Sequence, residues 1–325
     1  MIRIKKLEEL NNKFYRLSGW SGADGVYSFK VDNRILLYFS DTFIGSSTND
    51  GIRKDFKLIN NSLAIMENDK IDFIYNKNPI DSIFIQSDNS YYWLEDGIVE
   101  NDKLAIFALN MKNDVFSSVP FEINGIDIIH TTTSFAENMK YEIQKTNLYA
   151  DNIIWGISII KEDGYYYVFG YKNTYGNKCL VLSRTKDLKT YEYLNSIGLF
   201  SSNNQDLLVL KEHFEAESKV FKVNSYYYIA YTKDSISSEI YLIRAKSIFK
   251  PFNEEIKLYT CPEHKDSIIT YNAKIQDALS NEERLIISYN VNTLVNSEHK
   301  YLDIYRPRFI EINLKEIDDE FENLF

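Results

Sequence analysis

Three acidic residues stand where an apolar strand would not by itself tolerate them. Asp41 is separated from the run Ile35-Leu-Leu-Tyr-Phe39 only by Ser40, Asp24 lies inside Gly22-Ala-Asp-Gly25 just after Trp20, and Glu217 sits between Ala216 and Ser218 ahead of a further apolar stretch. A carboxylate at the end of such a strand must reach water, a cation or a ligand, because burying it unpaired is costly. Asp24 and Asp41 also read as turn-forming Asx residues; Glu217 has weaker turn credentials and is the stronger candidate on residue type alone. Carboxyls gathered at one place raise some of their own pKa values by repulsion and burial. Glycoside hydrolysis uses that arrangement: one carboxyl stays protonated to serve the leaving oxygen, and another stays ionised to activate water or attack the anomeric carbon. Asp24, Asp41 and Glu217 are therefore the catalytic candidates.

Residues so far apart in sequence need a fold that brings them together, and an internal repeat supplies one. Five passages share an aromatic entry, an Asp/Asn/Gly/Glu turn and a dense aromatic or β-branched run. Their second runs end at Phe39, Phe107, Phe169, Ile229 and Ile287, at intervals of 68, 62, 60 and 58 residues. Each interval holds about four strands of five or six residues plus turns. Turn residues at Asp32-Asn33, Asn101-Asp102, Asp163-Gly164, Asn224-Ser225 and Asn281-Glu282 separate the paired runs. The pattern predicts an all-β fold, a single five-bladed β-propeller over 1–325 with blades near 18–68, 90–150, 153–205, 213–260 and 270–312. Short terminal helices are expected from Leu7, Leu10 and Phe14, and from Leu314, Ile317, Phe321 and Leu324.

In a propeller the first strand of each blade lines the axis, so residues just after each entry aromatic converge. These positions hold Asp24, Glu95 and Asp96, Ile157, Glu217 and Lys274. Trp20, Trp93 and Trp155 offer flat faces for the C–H surface of a sugar, with Tyr271 in the corresponding place of the fifth repeat. Asp96, with Gly97, also reads as a turn dipeptide. Arg306 and Arg308, fixed on either side of Pro307, could hold sugar hydroxyls or an anion, or pair with axial acids. The substrate-binding candidates are Trp20, Trp93, Asp96, Trp155, Tyr271, Arg306 and Arg308.

Composition narrows the partners. With 37 basic and 47 acidic residues the net charge is −10, which leaves no electrostatic footprint for nucleic acid or an anionic membrane. No metal site is expected: Cys179 and Cys261 lack ligand spacing and read as small buried residues, and the four histidines read as exposed or singly hydrogen-bonded, although His213, beside Phe214, could approach the axis. No phosphate loop, nucleophile elbow or dinucleotide fingerprint occurs, so no cofactor is expected, while a structural cation among the axial acids is compatible with the pattern. No window approaches the roughly 18 apolar residues of a membrane span, and the opening segment Met1-Ile-Arg-Ile-Lys-Lys has no signal-peptide core. The chain as given reads as cytoplasmic, or as secreted if a leader once preceded it.

The first repeat, Trp20-Ser-Gly-Ala-Asp-Gly-Val-Tyr-Ser-Phe29 through Tyr38-Phe-Ser-Asp41-Thr-Phe43, resembles the first blade of a bacterial propeller family, long listed as a domain of unknown function, whose members include endo-acting D-arabinanases. Tyr92-Trp-Leu-Glu-Asp-Gly97, Tyr167-Val-Phe-Gly-Tyr171, Tyr271-Asn-Ala-Lys274 and Tyr305-Arg-Pro-Arg308 are similar in order and spacing, over roughly residues 18–312. The chain departs from the pattern at Gln276-Asp277, where a His-Pro pair would be expected. The resemblance implies Asp24 and Asp41 as the catalytic pair, taken with Asp24 as base and Asp41 as acid. It implies a glycosidase acting on furanoside-containing glycans, with arabinan favoured. A non-catalytic carbohydrate- or protein-binding propeller is the alternative, favoured if the acids all pair with lysine or arginine; a phosphorolytic enzyme using Arg306 and Arg308 is a third.

Overall fold

The computed structural model describes residues 2–86, 89–114 and 121–324. Paired Asp, Asn and Gly residues turn the apolar runs back on themselves. Asn68 and Asp69 (φ 48° and 63°), Asn101 and Asp102 (47° and 61°), and Asp163 and Gly164 (50° and 77°) adopt left-handed backbone. That geometry matches the twist of the strands it joins. Four-stranded meanders result, in chain order. Blade two comprises Ser90–Glu100, Lys103–Asn113, Phe121–Thr132 and Tyr141–Lys145; blade three Ile153–Glu162, Tyr165–Thr174, Asn177–Thr185 and Tyr191–Leu194, with Phe200–Ser201 at its edge; blade four Val220–Val223, Tyr226–Thr232, Glu239–Ala245 and Glu254–Thr260.

Blade one is bent. Ser18–Ala23 runs on into Tyr27–Val31, Arg34–Phe39 into Thr42–Ser47 and Arg53–Ile59 into Ser62–Glu67, with Lys70–Ile74 outermost. All three inner strands break at one level, and Asp24, Asp41 and Asn60 stand in the break. Blade five combines Ile268–Ile275, Arg284–Thr293 and Arg306–Asn313 with the N-terminal strand Ile4–Lys6, which pairs antiparallel to Ile310–Ile312 and joins the two ends of the chain.

The innermost strands interlock around a ring. Tyr27 Oη donates to Glu95 across blades one and two, Ile159 N–H to Asp96 across two and three, and Val220 N–H to Ser158 Oγ across three and four. Ala273 N–H donates to Thr232 Oγ1 across four and five, and Gln276 Nε2 to the Val26 carbonyl closes five onto one. This is an all-β, five-bladed propeller.

Both terminal helices form, at Glu8–Lys13 and Leu314–Leu324. Phe14, Leu314, Ile317 and Phe321 are buried, whereas Leu324 is exposed, so the apolar stripe stops one turn earlier than its spacing suggests. Cys179 and Cys261 are buried free thiols. Among the described residues no helix is long and apolar enough to cross a membrane.

Candidate active site

Bulges in the innermost strands re-aim side chains toward the axis. Register slips between Leu94 and Gly97, between Trp155 and Ser158, and between Tyr271 and Lys274, each next to the entry aromatic of its blade. A bulge sets two residues against one and turns the strand, which frees side chains from strict alternation. In blade three Gly156 and Ile157 are both left out of the pairing, and Gly156 sits at φ 99°; a Cβ there would lie 2.4 Å from the Phe107 side chain.

Asp24 and Asp41 meet in the break of blade one. The Asp24 N–H donates to the Asp41 carbonyl (3.2 Å) and the Ser40 N–H to the Asp24 carbonyl (2.9 Å), so the two residues are cross-strand neighbours. Asp24 Oδ2 accepts from Tyr271 Oη (2.8 Å) and Tyr305 Oη (3.0 Å), both from blade five. Asp41 Oδ1 accepts from Asn60 Nδ2 (3.0 Å) and from the Trp93 indole of blade two (2.9 Å). Both carboxyls are half-buried, and their donors are neutral. Burial, then the charges of Asp41 and Glu217, lifts Asp24 to about 8 despite the two phenols. Burial lifts Asp41 to about 6 against its amide and indole donors. At neutral pH the pair holds one proton, as an acid–base couple requires.

Glu217 arrives from blade four. It accepts from Asn272 Nδ2 (2.6 Å) and is ion-paired with Lys274, whose ammonium is buried and lies 3.9 Å from the centroid of the Tyr27 ring. Asn272 (φ 53°) and Tyr305 (φ 67°) both hold left-handed backbone without being glycine. Such conformations cost roughly 1–3 kcal/mol each and persist where the surroundings fix them. Below this layer the Glu95 carboxyl is buried against Tyr27 Oη (2.8 Å), and burial followed by the Glu217 charge holds it well above the usual carboxylate range. No cluster of three or more His, Cys, Asp or Glu side chains fit to hold a metal occurs among the described residues.

Known proteins can be set beside this geometry. A family model described as a domain of unknown function, DUF5005, matches residues 8–315. The chain belongs to that family. No curated protein matches it in sequence. In fold, the chain is similar to a Bacteroides ovatus ATCC 8483 protein provisionally designated a hydrolase, at TM-score 0.81 and 21% identity over 96% of this chain and 90% of that one. An α-L-arabinofuranosidase of Clostridium thermocellum ATCC 27405 aligns at TM-score 0.51 and 13% identity, covering 89% of each chain. A β-1,2-mannobiose phosphorylase of Listeria innocua aligns at TM-score 0.55 and 11% identity, covering 98% of this chain and 99% of that one. At these identities the likeness is one of fold.

The structure gathers Asp24, Asp41, Glu217, Trp93 and Tyr271, and places the remaining candidates elsewhere. Trp20 is buried, with its ring stacked on Phe73 at 4.5 Å and its indole donating to Ser62, and Trp155 is buried against Tyr193; both indoles fill blade cores because alternation turns them away from the axis. Asp96 is fully buried and salt-bridged to Lys219 (2.8 Å), which also reaches Asp277 (3.2 Å), so it locks blades two, four and five together instead of meeting a ligand. Arg306 and Arg308 face the N-terminal segment, bound to Asn11, Asp303 and Glu263. His213 is exposed and hydrogen-bonded to Asp234, away from the axis. Sequence reading missed Tyr305 and Asn60 as partners of the two aspartates. Tyr305 opens the quoted Tyr305-Arg-Pro-Arg308 segment, and Asn60 ends an apolar-flanked strand as Asp41 does; these were the signals available.

Proposed function

We propose that this protein is a glycoside hydrolase acting on furanoside-containing glycans, arabinan foremost, with Asp24 and Asp41 as its acid–base pair. One observation carries the reading: the two carboxyls lie together, half-open, raised to about 8 and about 6, and hydrogen-bonded to neutral groups only among the described residues. A purely structural acid cluster would be neutralised by cations, as Asp96 is by Lys219. The electrostatics support roles opposite to those first taken for the pair, Asp24 as base and Asp41 as acid. Asp24 holds the resting proton and protonates the glycosidic oxygen as its bond to the anomeric carbon breaks; Asp41, ionised, takes a proton from the attacking water or attacks that carbon itself. Glu217 reinforces the proton on Asp24 through its charge and faces the positive charge that develops on the sugar ring.

The fold shared with an arabinofuranosidase is compatible with this reading. Phosphorolysis loses its motive, because Arg306 and Arg308 do not reach the acids and the nearby Lys274 is already paired with Glu217. The test is sugar release from arabinan and related furanosides in phosphate-free buffer by the wild type, Asp24→Asn and Asp41→Asn. Both variants should lose release from polymer. Asp24→Asn should retain turnover of an aryl furanoside whose leaving group needs no proton, and Asp41→Asn should not. Full polymer activity in either variant would overturn the assignment.

A further inference from the structure

The phenols on Asp24 are backed by a hydrogen-bond chain that runs away from the acids through blade five. Asn292, near the end of Arg284–Thr293, pairs with Ile269 and lies diagonal to Tyr271 on the neighbouring strand, within reach of a long side chain. The Thr293 N–H donates to Asn292 Oδ1 (2.7 Å). A backbone amide can only donate, so this contact fixes which way the Asn292 side chain points. Asn292 Nδ2 therefore faces Tyr271 Oη (3.3 Å), and His299 Nε2, which faces the same Oδ1 (2.8 Å), must carry its proton. His299 also sets its ring edge-on to Tyr305 (5.7 Å between centroids, 85°), and Arg53 binds its backbone carbonyl. Burial and the Arg53 charge hold its imidazole below the usual histidine range, so the ring is neutral at neutral pH and its one N–H is spent on Asn292.

A phenol has one proton to give. Tyr271 Oη accepts from an amide that can only donate, so its own proton goes to Asp24 Oδ2 (2.8 Å), where Tyr305 Oη also donates (3.0 Å). We propose that Asn292 is a positioning residue for Asp24: it commits Tyr271 to donate, which makes Oδ2 the accepting oxygen and leaves Oδ1 to carry and deliver the proton. The proposal rests on Asp24 as the acid. On transfer the Oδ1–H bond breaks, the proton passes to the glycosidic oxygen, and the charge left on the carboxylate is met by two O–H donors already in place. Asn292 carries no charge of its own; the charged groups facing Asp24 are Asp41 and Glu217, and those facing His299 are Arg53 and Glu298.

A carbon-13 pH titration of the full chain labelled at aspartate Cγ tests this, with the Asp24 resonance identified by its absence from Asp24→Asn. Wild-type Asp24 should titrate near 8, and Tyr271→Phe should raise that midpoint by on the order of half a unit to one unit. Asn292→Asp keeps the shape but offers Tyr271 only acceptors, so the phenol turns to position 292 and leaves Asp24. In that background Tyr271→Phe should move the midpoint by less than about a third as much, because the donor has already gone. Should Asn292→Asp not fold, Asn292→Leu should raise the Asp24 midpoint in the presence of Tyr271 and leave it unmoved after Tyr271→Phe. Equal Tyr271→Phe shifts with and without Asn292→Asp, or an Asn292→Leu effect that is absent or that survives loss of the phenol, would overturn the proposal. The titration reads Asp24 whether or not sugar is released, so a failed relay and a failed glycosidase assignment give different results.

Discussion

Asp24→Asn is expected to stop sugar release from polymer and, in the same protein, to gain stability over the wild type as pH increases. The folded Asp24 carboxyl is lifted to about 8, whereas an unfolded aspartate titrates near about 4. Between those values the folded state keeps a proton that the unfolded state has lost. Stability from this group is therefore fullest below about pH 4, falls as pH rises toward 8, and is flat beyond. At about 1.4 kcal/mol per pKa unit, the carboxyl costs the fold roughly 4 kcal/mol at pH 7, a ceiling because Asp41 titrates with it. Asparagine keeps an acceptor for the Tyr271 and Tyr305 phenols and carries no charge, so it removes that cost. In a chain of this size the gain corresponds to roughly 5–10 °C in Tm near neutrality and almost nothing at pH 4. Calorimetry on wild type and variant between about pH 4 and 8 reads it directly. Parallel Tm curves for the two proteins over that range would refute the reasoning, since no proton would then be bound differently. A functional group that weakens its own fold is a common stability–function trade, and Asp24 would be such a group under the proposed function.

Trp93→Phe removes the indole donor from Asp41 Oδ1, so the acid limb of the kcat/KM profile should move up from about 6 by on the order of half a unit to one unit; an unmoved limb would contradict the geometry. Tyr305→Phe removes one of two phenols that hold Asp24 down, and the alkaline limb should rise, as seen in the same pH series. Lys274→Met leaves Glu217 without its buried counter-ion and should cost about 3 kcal/mol, visible as a lower urea midpoint. Gly156→Ala places a Cβ against Phe107 at a left-handed position, and the expected loss is roughly 2–4 kcal/mol in the same assay.

The blades were legible because alternation and turn chemistry are local. Asn101-Asp102 and Asp163-Gly164 specify their turns through their own backbone preferences, and the repeated aromatic runs set the period. Asp24 and Asp41 were legible as misplaced charges beside apolar strands. Trp20 and Trp155 were misread because an entry aromatic looks the same whether it faces the axis or the blade core, and its place in the strand's alternation within the closed ring decides which. The partnership of Tyr305 with Asp24 spans 281 residues and exists only once blade five closes on blade one. Local sequence thus determined the strands, the turns and which acids were out of place. Ring closure decided which of those acids meet and how far burial lifts them, because burial and cross-blade hydrogen bonds depend on every blade at once.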